Sequence, residues 1–104
     1  MPTPRIPMPM PEIEAFCTKW KITEFSLFGS VMRDDFGPDS DVDVLVEFEK
    51  SAGWKLDQWF EMEEELSELL GHDIDILIHS EVKRMENWIR RKSILESCSR
   101  VYAR

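Results

Sequence analysis

Gly29-Ser30, ten intervening residues and then Asp41-Val42-Asp43 supply the residue types needed to handle a phosphorylated substrate. A glycine lets the backbone approach a triphosphate closely. A serine hydroxyl and the amides of a starting helix can donate hydrogen bonds to phosphate oxygens. The apolar segment Phe25, Leu27, Phe28 ends at the glycine and a second begins at Asp41, which predicts two strands around a short polar connection. Side chains alternate along a strand, so Asp41 and Asp43 are expected on one face and Val42, Val44 and Val46 on the other. Paired carboxylates suit magnesium, which commonly takes one or two of them and completes its shell with water and substrate phosphates. The chemistry indicated is metal-assisted nucleotidyl transfer, with Mg2+ as cofactor and ATP or another nucleotide as substrate.

The elements that must position these groups can be read on both sides of the motif. Five of the six prolines fall at Pro2, Pro4, Pro7, Pro9 and Pro11, so residues 1–10 are predicted as an extended arm and residues 11–104 as one domain. Pro11 suits a first helical position, and Ile13, Phe16, Cys17 and Trp20 follow helical spacing, giving a helix from about Pro11 to Lys19. Ser30 to Arg33 is expected as a short helical turn, and Gly37-Pro38-Asp39-Ser40 carries turn chemistry. Leu56, Trp59, Phe60, Met62, Leu66, Leu69 and Leu70 form a broad apolar helical face that ends at Gly71.

His72 to His79 reads as a third strand, with Ile74, Ile76 and Ile78 facing one way and Asp73, Asp75 and Leu77 the other. The short first connection permits antiparallel pairing, and the helix before the third strand permits a parallel crossover. The fold class is therefore α+β, a small mixed β-sheet with flanking helices. From an N-cap at Ser80 the last segment is predicted as one helix, first with a stripe of Val82, Met85, Trp88 and Ile89. A second stripe of Ile94, Leu95, Cys98, Val101 and Tyr102 is rotated from it. Such a helix is kinked or two-faced, and its second face is expected to meet a partner, in a hetero-oligomer or a homodimer.

Composition narrows the function classes. The 104 residues fit one small domain without a second one for substrate. Thirteen Lys plus Arg against 21 Asp plus Glu give a net charge of -8, which disfavours the phosphate neutralisation needed to grip duplex nucleic acid. Asp34, Asp35, Asp39, Asp41 and Asp43 would repel ATP unless a divalent ion reversed the local sign. Cys17 and Cys98 are far apart in apolar helical surroundings and are expected as free thiols in a reducing, cytoplasmic compartment. No apolar run reaches membrane-spanning length, so no membrane partner is expected. The chain has no Gly-x-x-x-x-Gly-Lys run, which excludes a P-loop.

Gly29-Ser30, the spacing to Asp41-x-Asp43 and the flanking apolar segments together resemble the signature of the DNA polymerase beta-type nucleotidyltransferase superfamily. The short chain is similar to its minimal nucleotidyltransferase (MNT) branch. In that superfamily a third acid lies on a later strand, and Ile74-Asp75-Ile76-Leu77 fits that pattern. Arg33 and Ser40 fit as well, whereas Asp34 stands where a glycine commonly follows the arginine.

The resemblance implies a polymerase beta-like fold. It implies Asp41, Asp43 and Asp75 as catalytic and magnesium-binding residues, and Gly29, Ser30 and Arg33 as the nucleotide-binding set. Minimal nucleotidyltransferases are similar to the MntA-type antitoxins of HEPN/MNT toxin-antitoxin modules. For this chain the resemblance therefore implies transfer of AMP from ATP to a tyrosine hydroxyl of a HEPN-domain, HepT-type toxin.

Each feature also has a plainer reading. An Asp-x-Asp pair alone is usually a solvated strand face, and only the joint spacing lifts it above that. Asp73 is expected on the same face as Asp75 and could replace it as ligand. Arg33 could instead pair with Asp34 or Asp35. His72 and His79 lack metal-ligand spacing with cysteine and read as structural or surface residues, Trp54, Trp59 and Trp88 as packing residues, and Arg90-Arg91-Lys92 as a solvated helix face. Two alternative functions stay open: an antitoxin that masks its toxin by binding alone, and a transferase acting on a small-molecule acceptor.

Overall fold

The computed structural model describes residues 8–32, 36–37 and 39–103, without the side chain of Ser30. Most of the predicted proline arm, the predicted phosphate contacts of Arg33 and of the Ser30 hydroxyl, and Pro38 of the predicted turn lie outside the described residues. Helix α1 spans Met10–Lys19, with Pro11 in its first turn. Strand β1 (Ile22–Phe28) runs into a 3-10 turn, Gly29–Met32, which starts one residue earlier than the helical turn predicted for Ser30 to Arg33. Strand β2 is Val42–Phe48. Helix α2 (Leu56–Leu70) closes at Gly71, whose φ of 72° is the left-handed conformation that glycine adopts at little cost. Strand β3 (Ile74–Ile78) and helices α3 (His79–Lys83) and α4 (Trp88–Ser97) follow, and strand β4 (Ser99–Ala103) ends the described chain.

The four strands form one mixed sheet in the order β3-β2-β1-β4. β1 pairs antiparallel with β2 and β4, while β2 and β3 are parallel, as the lengths of the connections permit. Each face carries its own apolar cluster. On one side Phe25 and Leu27 of β1, Val42, Val44 and Val46 of β2 and Ile76 of β3 pack against Ile13, Phe16 and Cys17 of α1 and Met62, Leu66 and Leu70 of α2. On the other, Phe28 and Leu45 meet Val82 of α3 and Ile94 of α4, with Leu77, Met85, Leu95 and Cys98 at the margin. Burying each such aliphatic or aromatic side chain stabilises the fold by about 1.5–3 kcal/mol before entropy is counted.

Polar groups fasten α1 to α2. The Trp54 indole donates to the Trp20 carbonyl at 3.1 Å, and the Trp20 indole donates to Glu65 at 3.0 Å. Lys19 donates to the same Glu65 oxygen at 2.9 Å, and this hydrogen bond raises the Lys19 pKa above its ordinary value. Neither Cys17 nor Cys98 is held in a disulfide.

The terminal segment departs from the single helix predicted for it. The apolar positions Val82, Met85, Trp88 and Ile89 keep helical spacing across a break at Arg84–Asn87, where the Asn87 side chain accepts from the Arg90 amide at 3.2 Å and starts a new helix. Ser80 is not the N-cap either. Ile78 occupies that position, and the Ser80 amide donates to Glu47 Oε2 at 2.9 Å. Cys98 turns extended (φ -73°, ψ 144°), and Val101 and Tyr102 continue as strand because β1 offers an open edge to pair with. The rotated stripe therefore belongs to two elements, and the argument for a two-faced partner helix loses its basis. On α2, Leu56 and Phe60 were predicted within the apolar face but are 71% and 60% exposed. Trp88, predicted as a packing residue, is 60% exposed as well.

Candidate active site

The predicted chemistry converges where β1 ends beside β2. Gly29 follows the last residue of β1 with φ +75°, a conformation that suits glycine. A β-carbon there would lie 3.2 Å from Cγ of Asp43 and closer still to its Oδ2. Only glycine lets this turn fold down against the carboxylate. Phe28 and Asp43 are direct partners across β1 and β2, which fixes the elbow next to the acid.

Asp43 is in turn the direct partner of Asp75 across the parallel pair β2–β3. Directly opposed residues project to the same face, so the two carboxylates stand side by side. Asp41 lies one residue ahead of β2, exposed, with the fully buried Val42 between it and the half-buried Asp43. Asp73 lies one residue ahead of β3 and lines a separate cavity with Asp39, Ser40 and His72.

Local hydrogen bonds hold the approach to this acid pair. The Ser40 amide donates to the Gly37 carbonyl and the Gly37 amide to Ser40 Oγ, both at 3.0 Å, which closes the predicted turn. His72 Nδ1 is 3.3 Å from the Ser40 carbonyl, which can only accept, and its ring packs on Phe36 with centroids 5.0 Å apart. The Val42 amide donates to the Asp73 carbonyl at 2.8 Å, so β2 and β3 enter the sheet together.

Among the described residues, no three of His, Cys, Asp and Glu close on a point as a ready metal cage. The acids form an open edge instead. Magnesium fits such an edge, because one or two carboxylates suffice when water and phosphate oxygens complete the octahedron. Glu47, two positions beyond Leu45 on the same face of β2, is occupied by the Ser80 amide and belongs to the scaffold.

An open cavity of about 970 Å³ lies on this face beneath α4. Ser26, Phe28 and Gly29 line it along β1, with Asp43, Arg90 and Arg100 around them. Ser26, Arg90 and Arg100 were not singled out as site residues from the sequence. Ser26 did leave a signal, a polar residue inside the run Phe25-Ser26-Leu27-Phe28, and it is only 8% exposed. The arginines left none, because α4 and β4 meet β1 only through the tertiary fold.

A four-stranded mixed sheet with a glycine elbow set against paired aspartates defines a nucleotidyltransferase scaffold. Residues 13–101 match the nucleotidyltransferase domain family, and the chain belongs to it. The protein adenylyltransferase MntA of Thermococcus cleftensis is 38% identical over 80 residues, covering 69% of this chain and 79% of that protein. Among solved structures, a toxin-antitoxin crystal structure with AMP-PNP superposes with a TM-score of 0.68 at 16% identity, over 93% of this chain and 75% of the other. A complex of tri-AMPylated Shewanella oneidensis HEPN toxin with MNT antitoxin gives 0.59 at 17% identity, over 90% and 69%. At these identities the two structures speak for the fold alone.

Proposed function

We propose that this protein is an antitoxin that transfers AMP from ATP to a hydroxyl, of tyrosine by preference, on a HEPN-domain toxin, and so silences it. The observation that carries this reading is the turn at Gly29 set directly against Asp43, which is in turn paired with Asp75 on the next strand. The adenylyltransferase activity named for the Thermococcus relative and the toxin complexes among the structural neighbours support it.

In this reading the turn after β1 binds the triphosphate, with the Gly29 and Ser30 amides donating to phosphate oxygens. Asp41, Asp43 and Asp75 would hold magnesium, which when bound neutralises phosphate charge and makes the acceptor hydroxyl easier to ionise. Asp75, at the outer strand of the acid pair, takes the acceptor proton. The acceptor oxygen forms a bond to the α phosphorus, the bond from that phosphorus to the bridging oxygen breaks, and pyrophosphate departs with the electron pair. Catalysis rests on positioning and charge complementarity.

The test is to incubate the chain with ATP, magnesium and a HEPN toxin encoded beside it, and to read intact masses. An AMP increment on the toxin is the expected result. A stable, unmodified complex would favour masking by binding alone, and modification of a small molecule instead would retain the enzyme class and discard the antitoxin role.

A further inference from the structure

The described chain carries four arginines after β3, and they divide into two kinds. Arg84 Nε donates to the Ser80 carbonyl at 3.3 Å and Arg91 Nη1 to the Met85 carbonyl at 2.9 Å, so both serve the helix break. The guanidinium groups of Arg90 and Arg100 have no protein partner among the described residues, and these two line the cavity that holds Gly29 and Asp43. Arg90 reaches it from the first turn of α4. Arg100 reaches it from β4, directly opposite the nearly buried Ser26.

The order of strands gives these arginines a direction. Across the sheet, β3 carries Asp75, β2 carries Asp43, β1 ends in the Gly29 elbow and β4 carries Arg100. Transfer with in-line geometry places the attacking oxygen and the leaving oxygen on opposite sides of the phosphorus. An acceptor deprotonated at Asp75 must approach from the β3 side, so the leaving group departs toward β1 and β4. Arg100 stands opposite Ser26, two residues back from Phe28, or about 7 Å along the strand. Glu24 and Glu96 line the cleft too, and their repulsion confines an anion to the part that the arginines reach.

We propose that Arg90 and Arg100 form the pyrophosphate pocket, holding the β and γ phosphates of the nucleotide and then the pyrophosphate that leaves. Guanidinium forks match phosphate oxygens in geometry and stay charged at all working pH values. In a chain of net charge -8 such a pocket draws the triphosphate tail away from the general acidity of the surface. The inference rests on the transfer reading for its direction and on the two unpaired guanidinium groups for its chemistry.

The test uses the full chain with magnesium and measures binding of inorganic pyrophosphate and of AMP by calorimetry, for the wild type, Arg90→Gln, Arg100→Gln and the double variant. Each substitution should weaken pyrophosphate about tenfold, leave AMP unchanged and raise the ATP KM in parallel with little effect on kcat. Lys92→Gln, which removes a charge from the same helix outside the cavity, should leave all of these unchanged. Thermal melts should coincide, and Arg90→Lys and Arg100→Lys should recover part of the affinity if a glutamine variant folds poorly.

Wild-type pyrophosphate affinity in the double variant, no pyrophosphate binding by the wild type, or an equal loss in Lys92→Gln would overturn the pocket. If no acceptor is ever adenylylated but the glutamine variants still lose pyrophosphate, the pocket stands and the transfer reading falls. If transfer proceeds unchanged in the double variant, the reverse holds.

Discussion

The missing side chain of Gly29 is the space that the Asp43 carboxylate occupies. A turn that would otherwise cap β1 is thereby drawn into contact with the acid of the next strand. The turn proposed to bind phosphate and the carboxylate proposed to bind magnesium become neighbours through one absent methyl group. Gly29→Ala should therefore fail twice, by left-handed strain and by collision. We expect a loss of about 1–3 kcal/mol in stability, read by urea denaturation, together with loss of ATP binding by calorimetry.

Asp43 and Asp75 oppose each other directly, and like charges in that position destabilise a sheet. Asp75→Asn should raise the stability of the metal-free protein by about 0.2–1 kcal/mol while lowering kcat by about a hundredfold or more. Denaturation midpoints and single-turnover transfer would check the two halves. A variant that is both less stable and fully active would contradict the assignment.

Magnesium should act as a ligand of the native state alone. Adding it with a non-hydrolysable ATP analogue should raise the melting temperature of the wild type in a concentration-dependent way. The rise should vanish in Asp43→Asn, and EDTA should abolish AMP transfer without unfolding the chain.

Glu47 shares the face of the acids yet serves another purpose, since it accepts from the Ser80 amide at the start of α3. Glu47→Ala should leave that amide unsatisfied and cost about 1–2 kcal/mol. Hydrogen exchange should quicken in residues 79–83, and ATP binding should stay near the wild-type value. Loss of nucleotide binding with unchanged exchange would place Glu47 in the chemistry instead.

Much of this arrangement was legible before any coordinates. Strict alternation around Val42, Val44 and Val46 assigned the faces of β2, and Ile74-Asp75-Ile76 did the same for β3, because a half-buried strand must separate polar from apolar residues. The helix end at Gly71 and a helical turn after Gly29, expected at Ser30 to Arg33 and found at Gly29–Met32, were readable from local chemistry in the same way. The C-terminal quarter was not. Cys98, Val101 and Tyr102 happen to share helical spacing, and nothing local shows that β1 still has an edge to offer. For the same reason Arg90 read as part of a solvated helix face and Arg100 drew no reading, since only long-range packing brings them to the cavity that Gly29 lines.

The pairing of β4 with β1 also bears on how the chain is made. Strand β1 spans residues 22–28 and its second neighbour residues 99–103, so during synthesis one side of an early strand stays open until the last of these residues leaves the ribosome. An open strand edge is a template for joining other chains, and a contact this distant in sequence forms late. Removing residues 99–103 should therefore reopen this edge of β1 and promote self-association, read by light scattering.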